Sequence, residues 1–107
     1  AGDWEEAIAA YQRVSELTSS IPEAQSNCGL VLLGLGRVSE AIAAFTRAIT
    51  AKPGDANAHR QLGIALHQQG RWEEALTAYQ TALHRNPQLA DAHYNLGLWY
   101  HDRGQYA

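Results

Sequence analysis

Residues 56–89 read ANAHRQLGIALHQQGRWEEALTAYQTALHRNPQL, and the phase of this stretch recurs through the whole chain at a spacing of 34 residues. Gly2, Gly36, Gly70 and Gly104 keep that spacing, as do Gly29, Gly63 and Gly97; Ala7, Ala41 and Ala75; and Tyr11, Phe45 and Tyr79. Pro53 and Pro87 share one phase. Trp4-Glu5-Glu6-Ala7-Ile8 returns two periods later as Trp72-Glu73-Glu74-Ala75-Leu76, with Ser39-Glu40-Ala41-Ile42 in phase between them, and no insertion or deletion interrupts the series. An ungapped period of this length means stacked copies of one supersecondary unit that bury a core only by packing on neighbours.

Within each period the apolar spacing is helical. Residues near 22–35, 56–69 and 90–102 carry apolar side chains three and four apart, as in Ala58, Leu62, Ala65 and Leu66, and are expected to stop at Gly36, Gly70 and Gly104. Residues near 3–17, 38–51 and 72–85 repeat the pattern. The later two end ahead of Pro53 and Pro87, which lack the N–H a continuing helix needs. Pro22 suits a first helical turn, and Asp55 is a plausible N-cap before Ala56. Gly and Ala at the shared phases fit crossings where helix axes come within about 8–10 Å.

Leu62-Gly63, Ala75, Tyr79, Ala82 and Pro87, with Cys28-Gly29, Ala41, Phe45, Ala48 and Pro53 before them and Leu96-Gly97 and Tyr100 after, resemble the tetratricopeptide repeat. The resemblance covers the whole chain. It departs at Cys28, where Leu is usual, at His59 and His93, where Trp is favoured, and at Val14, where Ala is favoured. It implies an all-α fold, a right-handed α-solenoid of antiparallel helix-turn-helix repeats with about six helices. The expected organisation over 1–107 is a single array: the second helix of a partial repeat (1–21), full repeats 22–55 and 56–89, and the first helix of a partial repeat (90–107).

Composition narrows the function. With 46% apolar and 18% charged residues the chain has the material for a core. Eight Lys/Arg against eleven Asp/Glu give a net charge of −3 with no basic stripe, so nucleic acid is not an expected partner. No apolar run approaches the roughly 18–20 residues of a membrane span, and no membrane partner is expected. A single cysteine, Cys28, fits a reducing compartment and favours a cytoplasmic location.

Chemistry-bearing residues do not assemble into a catalytic set, and the chain is read as a non-enzyme without cofactor or metal. None of the five histidines pairs with another at i,i+3 or i,i+4, the spacing that would put two metal ligands on one helix face. His59 and His93 are expected to fill aromatic-preferring positions, with His67, His84 and His101 largely solvated. Cys28 shares the phase of Leu62 and Leu96 and reads as a buried structural thiol. Glu5-Glu6 and Glu73-Glu74 open helices, where carboxylates complement the helix dipole.

The resemblance carries a binding surface with it: the first helices of the hairpins line an inner, concave face. In this chain it comprises Glu23, Asn57 and Asp91; Ser26, Arg60 and Tyr94; Asn27, Gln61 and Asn95; Leu30, Ile64 and Leu98; and Leu33, His67 and His101. Asn27, Gln61 and Asn95 resemble the asparagine ladder in the superhelix of O-linked N-acetylglucosamine transferases, whose carboxamides offer both donor and acceptor to an extended peptide. Members that grip acidic C-terminal tails place Lys, Arg and Asn where this chain has Ser26, Leu30, Gln61, Asp91 and Asn95, so a carboxylate clamp is not expected.

The implied function is a protein–protein interaction scaffold or adaptor that binds a peptide or partner segment. Two alternatives use other features. One is a self-assembling or spacer segment that stacks head to tail through Trp4, Ile8, Tyr11, Trp99 and Tyr100 on its partly uncovered end helices. The other is a non-catalytic portion of a larger enzyme such as a glycosyltransferase.

Overall fold

The structure is a computed structural model that describes residues 5–10, 13 and 22–106, and all regular secondary structure among them is helical. Helix α1 is described over residues 5–10, followed by α2 (Pro22–Gly34), α3 (Val38–Ala51), α4 (Ala56–Gln68), α5 (Trp72–Arg85) and α6 (Ala90–Tyr106). They fall into two compact units, Ala1–Pro53 and Gly54–Ala107. The all-α repeat fold expected from the 34-residue period is the one observed.

The hairpin turns follow from two glycines. Gly36 (φ 79°) and Gly70 (φ 74°) adopt the left-handed conformation that a Cβ disfavours. There Gly36 N–H reaches Leu33 O at 3.0 Å and Arg37 N–H reaches Leu32 O at 2.9 Å; Gly70 and Arg71 repeat both bonds on His67 and Leu66 at 3.0 Å each. These paired bonds satisfy carbonyls that a helix end otherwise leaves orphaned. Gly104 was expected to end its helix in the same way, but α6 runs on to Tyr106 and Gly104 keeps a negative φ. Glycine permits the left-handed turn without compelling it, and at Gly36 and Gly70 the return helix packs back on the turn.

Helix starts are capped differently. The Asp55 carboxylate accepts from Asn57 N–H (3.1 Å) and Ala58 N–H (3.3 Å) at the head of α4, as expected. Arg37 and Arg71 precede α3 and α5 without a side-chain cap; each instead forms a fork with the glutamate three residues on, Arg37 with Glu40 and Arg71 with Glu74. The hydrogen bond from Arg71 holds the Glu74 carboxyl below its usual range.

The first unit closes around Phe45. Ala41, Ala44, Phe45 and Ala48 of α3 are buried against Gln25, Cys28 and Leu32 of α2. A Cβ on Gly29 would lie 2.5 Å from a Phe45 ring carbon, so the ring occupies the space a side chain would take. Gln25 is buried and accepts a hydrogen bond from Arg47 Nε at 2.9 Å, which offsets the cost of enclosing its amide. Cys28 is buried, as expected, and burial pushes its thiol pKa up.

The second unit repeats the device. Ala75, Ala78, Tyr79 and Ala82 of α5 are buried, and a Cβ on Gly63 of α4 would lie 2.6 Å from the Tyr79 ring. Here α6 adds a third layer. Trp99 is buried, donates its indole N–H to Trp72 O at 2.9 Å and meets the Trp72 ring edge-on at 6.3 Å. Burying an aromatic of this size contributes about 2–3 kcal/mol.

Candidate functional site

The expected binding residues occupy the first helices of the hairpins, and the structure sorts them by exposure within each unit. On α2, Glu23, Asn27 and Leu30 are exposed, with Ser26 and Leu33 half-buried. On α4, Asn57 is exposed, Arg60, Ile64 and His67 are half-buried, and Gln61 is buried. On α6, Asp91, Tyr94, Leu98 and His101 are exposed and Asn95 is half-buried. Gln61, expected as the middle rung of a carboxamide ladder, is therefore enclosed rather than presented; Ala58, Ala65 and Ala92 are buried on the same two helices.

In the second unit these residues converge. Arg60 spans from α4 to α6, giving one hydrogen bond to Asn57 Oδ1 and one to Asn95 Oδ1, each 3.0 Å. Both amide oxygens are thereby oriented by one guanidinium. Beyond this bridge lies a cavity of about 500 Å³ whose walls include Ile64, His67, Trp72, Tyr79, Asn95, Leu98 and Asp102. It combines apolar walls with a few fixed polar groups, the usual make-up of a ligand recess.

His67 departs from expectation most. It was read as largely solvated, yet its side chain is 14% exposed and lies between Tyr79 OH (3.1 Å from Nδ1) and Asp102 Oδ2 (3.0 Å from Nε2). A carboxylate only accepts, so a neutral His67 carries its proton on Nε2 and donates it to Asp102, and Nδ1 accepts from the tyrosine hydroxyl. Burial pushes Tyr79 up to about 12, which keeps that hydroxyl protonated. The His67 ring also meets Trp72 at 5.2 Å and Tyr79 edge-on at 6.1 Å. His101, on the same carboxylate at 3.3 Å, is exposed as expected.

Trp72 and Asp102 are therefore site residues that the sequence reading missed. A signal for the tyrosine–histidine pair existed in the repeats: the first hairpin has Leu33 and Phe45 where the second has His67 and Tyr79, a coupled change from two apolar residues to two hydrogen-bonding ones. A second recess, about 430 Å³, lies along His59, Leu62, Leu66, Glu74, Ala78 and Thr81, none of them in the expected set.

The five residues expected at end contacts also divide. Trp4 and Tyr11 lie outside the described residues. Ile8 and Trp99 are buried and so are not the uncovered residues they were expected to be; Tyr100 is exposed. Trp99 is withdrawn because α5 supplies both an edge-on ring and a carbonyl for its indole.

Comparison with known proteins follows the same lines. A family model described as "Tetratricopeptide repeat" matches residues 1–56, another of that description matches 44–77, and a "TPR repeat" model matches 63–104. The chain belongs to the tetratricopeptide repeat family. Among solved structures it resembles MamA, 30% identical over 96% of this chain and 60% of that one, with a TM-score of 0.87. It thus spans less than two thirds of that structure's length. It is also similar to the first TPR of Spaghetti (RPAP3) bound to HSP90 peptide SRMEEVD, at 20% identity, 96% and 82% coverage and TM-score 0.87. The second TPR domain of human RPAP3, in complex with HSP70 peptide SGPTIEEVD, gives 24%, 92% and 82%, and 0.86. At those identities the two RPAP3 domains show the fold alone. No curated protein matches. No helix among the described residues is long and apolar enough to cross a membrane.

Proposed function

We propose that this tetratricopeptide chain is a protein-interaction module that holds a peptide or partner segment on the first helices of its hairpins, with the α4–α6 recess as principal anchor. The observation that carries this reading is the Arg60 bridge. One cation fixes Asn57 and Asn95 beside a recess walled by Ile64 and Leu98, which leaves the amide N–H groups of Asn57 and Asn95 to address a peptide backbone while the leucine and isoleucine take an apolar side chain. Asp91, Tyr94 and His101 on α6 and Glu23, Ser26, Asn27, Leu30 and Leu33 on α2 extend the same kind of surface on each unit. The peptide-bound RPAP3 domains support a peptide as the class of partner.

The charge pattern argues against the acidic runs in those two peptides. Where acidic-tail binders need cations this chain has Ser26, Leu30, Gln61, Asp91 and Asn95, and Arg60 is engaged by two amide oxygens. A buried carboxylate without a cation would cost more than it gains. The test is fluorescence anisotropy with peptides selected by display against the whole chain. Leu98→Ala and Asn95→Ala should each weaken binding about tenfold, the ~1.4 kcal/mol of one lost anchor contact, whereas Gln80→Ala on the exposed side of α5 should not. Equal affinity across all three variants would sink the recess as the anchor.

A further inference from the structure

The two hairpins differ at one coupled pair of phases, Leu33 and Phe45 in the first against His67 and Tyr79 in the second. In both a ring fills the place of a glycine side chain, at Gly29 or at Gly63, so a hairpin of this kind closes without the histidine. Packing alone therefore gives no reason for the polar pair. Its position does: His67, Tyr79 and Asp102 all stand on the wall of the α4–α6 recess, joined in one hydrogen-bonded chain across three helices.

That chain has two proton states. With His67 neutral, the Tyr79 hydroxyl donates to Nδ1 at 3.1 Å, Nε2–H donates to Asp102 at 3.0 Å, and the only charge is the anion on Asp102. An imidazole gains its second proton within about pH 5–8. Both ring nitrogens then donate, so the Tyr79 oxygen must accept from Nδ1 and its own hydrogen must turn away from the ring. Tyr79, pushed up to about 12, keeps that hydrogen. The imidazolium also neutralises Asp102. One proton thus converts the wall from a net anion into an ion pair and turns a hydroxyl donor outward.

The neighbouring charges leave this balance to His67. Arg60 of α4 is held by the Asn57 and Asn95 oxygens. On α6, Arg103 lies over the Trp72 ring, 5.9 Å from its centroid, and the exposed His101 approaches Asp102 Oδ1 at 3.3 Å. Glu73 and Glu74 of α5 line the other recess, with Glu74 forked to Arg71.

We propose that His67 determines the specificity of the recess by its charge: a protonated His67 lets the recess admit an acidic side chain of a partner peptide, which Asp102 repels when His67 is neutral. The inference rests on the recess being the peptide anchor.

The test selects peptides by display against the whole chain at pH 5.5 and at pH 7.5. A glutamate is still ionised at pH 5.5, so only the pool selected there should carry an acidic residue at a fixed position. By fluorescence anisotropy the best peptide of that pool should bind about tenfold more weakly at pH 7.5, and a version with its carboxylate replaced by a carboxamide should change little. His67→Leu combined with Tyr79→Phe reproduces the pair with which the first hairpin already closes, so the chain should stay folded by circular dichroism, and it should lose the pH dependence although His59, His84, His93 and His101 remain. Nitrogen NMR of the wild type gives a reading without peptide: His67 should bear one N–H at pH 7.5 and two at pH 5.5. A pH dependence that survives the double variant, pools alike at both pH values, or a His67 still neutral at pH 5.5 would overturn the proposal. Binding that Leu98→Ala weakens equally at both pH values sinks the proton selection alone, whereas binding that Leu98→Ala leaves unchanged sinks the anchor and the selection together.

Discussion

Gly63 and Gly97 occupy the same phase of consecutive repeats, and their surroundings are opposite. Around Gly63 the Tyr79 ring stands where a side chain would be; around Gly97 no atom of the described residues comes within 4 Å of that place. A glycine in a helix costs about 1 kcal/mol relative to alanine, and only the first of these two offsets that cost with packing. Identity at a repeat phase therefore fixes the shape of a seat. Whether the seat is filled is decided by the helix that arrives.

The comparison is open to direct attack by mutation. Gly63→Ala drives a methyl against a ring that is 1% exposed and has no room to retreat, and it should destabilise the second unit by about 2 kcal/mol after the gain in helix propensity, read as a lower denaturation midpoint. Gly29→Ala should do the same to the first unit against Phe45. Alkaline pH strikes the filled seat from another side. Tyr79 titrates at about 12 in the folded chain against about 10 when unfolded, so the unfolded state loses its proton first. The stability this contributes is complete below pH ~10 and is lost as pH rises towards ~12, on the order of 2 kcal/mol, and Tyr79→Phe should flatten that part of the pH–stability curve.

At neutral pH, Tyr79→Phe removes the hydroxyl that serves His67 Nδ1 and should cost about 1 kcal/mol by chemical denaturation. The smallest effect, and the only one of opposite sign, belongs to the open seat: Gly97→Ala should raise stability by up to about 1 kcal/mol, because the added methyl meets nothing. A loss at Gly97 as large as at Gly63 would mean that the two seats are alike after all.

The helices and the turns at Gly36 and Gly70 were legible because they recur: three copies of one phase average out the accidents of any single one. What did not recur was hidden. The bond between His67 and Asp102 joins residues 35 apart on different helices, and Asp102 has no acidic counterpart at its phase, where Gln68 and Gly34 stand. Trp99 stands at the phase of Ala65 and Val31, so its burial against Trp72 had no precedent in the earlier copies. Gln61 looked like one more surface carboxamide, because periodicity gives the side of a helix a residue occupies and not the height of what surrounds it. Glu23, Asn27 and Leu30 on α2 and Asp91, Tyr94, Leu98 and His101 on α6 are exposed, because exposure there depends mainly on helix phase.

Cys28 has a use that follows from its place under the Phe45 hairpin. It is the only thiol in the chain and is 1% exposed, so a thiol reagent reaches it only when α2 and α3 part. Its labelling rate in native buffer is therefore a clock for the opening of the α2–α3 hairpin. The protein carries within its own sequence a probe for timing that event.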